Sequence, residues 1–140
     1  MSGRIGLVAA AGLSLLAGGA SAHHSGAMFE RAKTVVLEGV VKSYAYTMPH
    51  SWVDLIVTPA GGGEPVSWGI ECGTPPAMRG QGLTPTTLKS GDRITARIHP
   101  LKDGRPGGSF IDITVNGRVY GNGRPAEGEP AGSPAPATAG

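Results

Sequence analysis

Between residues 35 and 120 the sequence alternates apolar and polar residues in short runs, and glycines and prolines separate those runs. Period-two alternation puts successive side chains on opposite faces of a strand, so a stretch of this kind folds as sheet. The clearest run is 92–99, with Ile94, Ala96 and Ile98 on one face and Arg93, Thr95, Arg97 and His99 on the other. Residues 66–72 place Val66, Trp68, Ile70 and Cys72 together, opposite Ser67, Gly69 and Glu71. Residues 35–46 and 52–58 are rich in β-branched and aromatic side chains, with Gly39 marking a bulge or bend in the first. A fifth run, 109–115, meets Asn116-Gly117, a strong two-residue hairpin signal, and returns through Arg118, Val119 and Tyr120.

Residues 73–90 hold too much Pro and Gly for a strand, and 76–79 and 84–88 each suit one short helical turn. Five principal strands with a helical insert after the third predict an all-β fold. The expected form is a small, partly open five-stranded barrel, OB-like. A β-sandwich normally needs seven strands. No repeat of fixed period is present.

The ends are different polymers. Arg4, an apolar run over 5–17 and the small residues Ala20-Ser21-Ala22 read as a signal peptide over residues 1–22. The run is shorter than the roughly 20 residues that span a bilayer, so the chain is expected to be exported to the periplasm and not to span the membrane after cleavage. In residues 121–140, fourteen of twenty are Gly, Pro or Ala, which buries too little apolar surface to offset ordering entropy. That stretch reads as a disordered C-terminal tail. Ten of the 24 glycines and four of the 12 prolines sit in these two ends, so residues 23–120 form one small β-barrel domain. Its formal charge stays near neutral, +2 for the whole chain, without a basic patch or interleaved aromatics, so no nucleic-acid partner is expected. A single cysteine excludes an internal disulfide and a Cys-rich zinc site.

Histidines carry the chemistry that remains. Cleavage after Ala22 would start the mature chain His23-His24-Ser25. Its α-amine and first imidazole chelate one metal ion, and a second imidazole completes a T-shaped copper site. If Ala22 were retained, His24 would stand third, and the amine, two amides and imidazole would offer a square-planar set for Cu(II) or Ni(II). The plain alternative is that these polar residues only favour clean cleavage. His50, in Met48-Pro49-His50-Ser51-Trp52 between the first two strands, is the second candidate. Barrel geometry would bring it toward His99, which shares a face with Arg93 and Arg97 and so ranks well below it. Met48 offers a soft thioether for Cu(I) or fills a packing gap. Cys72 reads as a buried, inert thiol, and Glu71 and Asp54 as solvated or paired acids. No catalytic residue and no organic-cofactor site can be read from the chain.

Ala22-His23-His24-Ser25, Pro49-His50-Ser51-Trp52, Trp68-x-x-Glu71, Leu88-Lys89-Ser90-Gly91-Asp92 and Lys102-Asp103-Gly104 occur in that order. This resembles a family of small exported bacterial (periplasmic) proteins of unknown function, whose mature chains begin His-His-Ser and carry Pro-His-Ala/Ser-Trp in the first hairpin. The resemblance covers about 22–120. It implies an exported β-rich domain, adds weight to His23, His24 and His50, and supplies no activity. The family pattern has Asn before the Pro where this chain has Met48, a residue other than His at position 99 and Gly at position 72, so none of these three is read as a family site.

The expected function is therefore a periplasmic OB-like binding module holding a metal ion, copper, through His23, His24 and His50. The alternative is a structural module without metal, binding an unknown periplasmic protein or small ligand on a face around Tyr46, Trp52 and Arg97.

Overall fold

The computed structural model describes residues 25–122, so the stretch read as a signal peptide (1–22), His23 and His24, and all but the first two residues of the stretch read as a tail (121–140) lie outside the described residues. A 3-10 turn, Ser25–Met28, leads into six strands and one short helix: β1 (Val35–Ala45), β2 (Trp52–Val57), β3 (Val66–Glu71), α1 (Pro75–Gly80), β4 (Arg93–Pro100), β5 (Gly107–Val115) and β6 (Arg118–Gly121). The strands pair antiparallel in the order β3-β2-β1-β4-β5-β6, and a further pairing of β3 with β5 closes the ring. That closure is parallel and only three pairs long, Gly69 with Gly107, Ile70 with Gly108 and Glu71 with Ser109. The result is a closed five-stranded OB-like barrel with β6 added outside β5 and a short helix after the third strand, the all-β fold class that the alternation predicts.

The core follows the alternation. Ile94, Ala96 and Ile98 are buried on β4 and meet Val53, Leu55, Ile70 and Ile113 from the other barrel strands. Each such Val, Leu or Ile side chain contributes about 1.5–3 kcal/mol when taken fully from water. Met78 of α1, with Leu83 and Leu88 beyond it, joins the same core. Proline at the first helical position and the Thr74 hydroxyl, which accepts from the Ala77 amide, start that helix.

Three local expectations are corrected. Gly39 is not a bulge: it pairs in register with Ile94, and the β1 irregularity falls between Val41 and Ser43. Glycine is needed at 39 because a Cβ there would press on the Ile56 carbonyl oxygen and lie 2.9 Å from Leu55 Cγ. Residues 84–88 form no helical turn: the Thr87 amide donates to the Thr84 carbonyl in a single reverse turn, and the Thr87 hydroxyl accepts from the Thr84 amide. Gly107 and Gly108, left in a loop by the alternation, begin β5 because bare backbone is what lets it approach β3 and β4. The hairpin signal holds, with φ of 50° at Asn116 and 75° at Gly117.

Candidate metal and ligand-binding groove

The loop between β1 and β2 carries Pro49, His50 and Ser51, and hydrogen bonds to the end of β3 fix where it sits. The Ser51 amide donates to the Gly73 carbonyl at 3.0 Å, and the Cys72 amide donates to the Ser51 carbonyl at 2.8 Å. Glu71, the last residue of β3, is paired with Trp52 on one side and Ser109 on the other. His50 Nδ1 lies 2.5 Å from Glu71 Oε1, with the Glu71 side chain 13% exposed and His50 36% exposed. The contact sets an imidazole nitrogen against a carboxylate, a group that only accepts hydrogen bonds when ionised.

Next to this pair a groove of about 220 Å3 crosses the seam where β3 meets β5. Gly69, Gly107 and Gly108 form its floor, Trp52 and Glu71 one side, and Leu101, Arg105 and Pro106 the other. Met28 and Phe29 close the remaining side. The chain around them is strapped to the β4–β5 connection: Phe29 bridges Leu101, the Glu30 amide donates to the Pro100 carbonyl, and the Lys102 amide donates to the Met28 carbonyl. Trp52 is 43% exposed, and its ring lies across Gly69, with Cζ3 3.9 Å from where a Cβ would stand. On the opposite rim, backbone and side-chain hydrogen bonds from Arg105 hold the Asp103 carboxyl below its ordinary range. The groove therefore lies on β2, β3 and the start of β5 beside the connection after β4; OB barrels bind ligands on the face of their second and third strands and the adjoining loops.

The sequence-chosen residues fall as follows. His50 pairs with Glu71, which lines the groove. His23 and His24 lie outside the described residues, directly before the turn whose Met28 lines the groove. His99 does not converge on His50. Through the pairs Glu71 with Ser109 and Ser109 with His99, it stands two inter-strand spacings from Glu71, about 10 Å. Its Nδ1 lies 2.8 Å from the Lys33 carbonyl instead. Met48 is 65% exposed and fills no packing gap. Cys72 is buried, its thiol pushed up to about 12 by desolvation and then by the nearby Glu71 charge. Asp54 accepts from the Ser43 hydroxyl at 2.7 Å. Among the described residues no three His, Cys, Asp or Glu side chains group as a metal site.

Tyr46, Trp52 and Arg97 do not share a face. The Tyr46 hydroxyl donates to the Pro75 carbonyl, and Arg97 is committed to Asp112 across β4 and β5. In a closed ring β4 is separated from β2 by β1 on one side and by β3 and β5 on the other, which parts Arg97 from Trp52. Sequence reasoning gives Glu71 as solvated or paired but misses its partner, since 21 positions separate it from His50 and no periodicity joins them. The Trp68-x-x-Glu71 motif is the one signal that marks it.

A family model described as a family of unknown function (DUF6152) matches residues 11–110. The chain belongs to DUF6152. No curated protein matches the DUF6152 chain. Among solved structures, it is similar to Rim1, a mitochondrial single-stranded DNA binding protein from S. cerevisiae, with a TM-score of 0.47 and 10% identity over 60% of this chain and 93% of that one. The expectation that excluded nucleic acid is corrected: it rested on total charge and composition, which cannot exclude such a partner. Total charge does not report how cations and aromatic faces are distributed, and single strands are bound largely by stacking. At a TM-score of 0.47 that likeness carries no ligand to DUF6152. Among the described residues no helix is long and apolar enough to cross a membrane.

Proposed function

We propose that this chain is an exported periplasmic binding module that holds copper through His23, His24 and His50 at the groove beside Trp52. One observation carries the reading: the N-terminal strap lines the same groove as Glu71, the carboxylate that pairs with His50. His24 is four residues before Met28, a separation of at most roughly 14 Å along the chain. The two N-terminal imidazoles and His50 are thus within reach of one ion. An α-amine with two or three imidazoles suits Cu(II) in a tetragonal set, and Met28 adds a thioether at the same groove for the reduced ion.

The test is a Cu(II) titration of the chain processed after Ala22, with the new N-terminus verified by mass spectrometry. Affinity above that of a free His-His-Ser peptide is expected, falling at least about tenfold in His50→Ala. Affinity equal to the peptide's and indifferent to His50→Ala would remove the three-histidine centre.

A second reading, a ligand-binding module without metal, draws on the exposed Trp52 ring over Gly69. Function retained in a His23→Ala, His50→Ala double variant and lost in Trp52→Ala would favour it.

A further inference from the structure

We infer that Glu71 is a positioning residue for His50, fixing the imidazole with Nδ1 protonated and Nε2 unprotonated, free to coordinate a metal ion. This deepens the copper reading above and rests on it only for the metal. Metal-binding imidazoles as a rule donate their second N–H to a carboxylate, which sets tautomer and ring orientation and raises ligand basicity. Here such an acceptor stands 2.5 Å from Nδ1.

What makes Glu71 suited to this is rigidity. Its backbone is held in two ladders at once, with Trp52 and with Ser109, whereas a loop carboxylate would move with its loop. Its side chain is 13% exposed, so water competes weakly for the carboxylate. The imidazole side is fixed as well, because the Ser51 backbone is bonded on both sides to residues 72 and 73. Both partners therefore meet without ordering a flexible segment when the metal arrives, which is the condition for a preorganised ligand.

A pair that only pinned the loop would leave tautomer and copper affinity unchanged on substitution, provided the fold survives. Long-range 1H–15N NMR on the metal-free chain, at a pH where the ring is neutral, reads the tautomer directly. The expected result is Nδ1–H for His50 in the parent chain and in Glu71→Gln, whose amide oxygen still accepts, and a shift toward Nε2–H in Glu71→Ala. Cu(II) affinity is expected to fall about 10–100-fold in Glu71→Ala and by less in Glu71→Gln. If Glu71→Ala fails to fold, the parent tautomer and the Glu71→Gln affinity decide. Nε2–H in the parent chain, or a tautomer indifferent to Glu71→Ala, overturns the positioning role even where copper binds. The expected tautomer together with Cu(II) affinity indifferent to His50→Ala instead removes the copper centre and leaves the positioning role standing.

Discussion

Arg97 grips the buried Asp112 carboxylate as a fork, with Nε 3.0 and 2.9 Å from its two oxygens and Nη2 2.6 Å from Oδ2. The two residues face each other across β4 and β5, just where the register shifts to accommodate an extra residue on β5. Asp112 is 4% exposed, and Gly121 of β6 lies against its backbone. Removing Arg97 strands a desolvated charge. Arg97→Ala is expected to lower stability by about 2–3 kcal/mol, less than the ~3–5 of a fully buried pair because the arginine is 39% exposed. Arg97→Lys should recover little, since a point charge cannot reproduce the fork. Urea midpoints at constant slope measure both.

Gly39 leaves no room for a side chain beside β2. Gly39→Ala should cost about 1–3 kcal/mol by overpacking against Ile56 and Leu55. Leu55→Ala in the same place opens a cavity and should cost about 2–5 kcal/mol. In the double variant the two losses should sum to less than their separate values, because the smaller residue at 55 makes room for the new methyl. A double-mutant cycle in urea reads the coupling, and strict additivity would show that the Ile56 carbonyl alone sets the limit.

Burial raises the Cys72 thiol from 9.0 to about 12, and burial with the neighbouring thiol raises the Tyr44 phenol as well. Both groups keep their protons in the folded chain at pH values where the unfolded chain has released them. The unfolded state then binds fewer protons, so stability is fully present below pH 9 and is lost as pH rises toward about 12. Urea midpoints measured across that window should fall, and less steeply in Cys72→Ala. At pH 8 the native thiol should resist a thiolate-selective label that reacts readily in denaturant.

Trp52 sits at the groove, whereas Trp68 packs against the core. Cu(II) bound at His50 should therefore quench the fluorescence of Trp52 and spare Trp68. Trp52→Phe is expected to abolish the quenching and Trp68→Phe to preserve it. Equal quenching in both variants would place the ion away from the groove.

The barrel was legible where a residue's fate depends on its nearest neighbours. Ile94, Ala96 and Ile98 declare their inner face by alternation, and Asn116-Gly117 declares its turn through the backbone angles it tolerates. The seam was not, because Gly107 and Gly108 read locally as a break and become strand only when β3 lies beside them. The site divides in the same way. His50 stands out by residue type and its loop, but Glu71 acquires its meaning only when β3 is laid next to that loop. The strap through Met28 and Phe29 left no local signal either, since its anchors at Pro100 and Leu101 lie some seventy residues away.

The ring closes through three residue pairs, four of whose six members are Gly69, Gly107, Gly108 and Ser109, which offer little side chain for cross-strand packing. The groove lies across this join, with Trp52 and Glu71 on one bank and Leu101 and Pro106 on the other. Anything held there touches both banks and is lost when they part. Occupancy and closure are thus thermodynamically linked, so a bound ligand acts as a clasp, and local opening of the barrel should slow when the groove is filled.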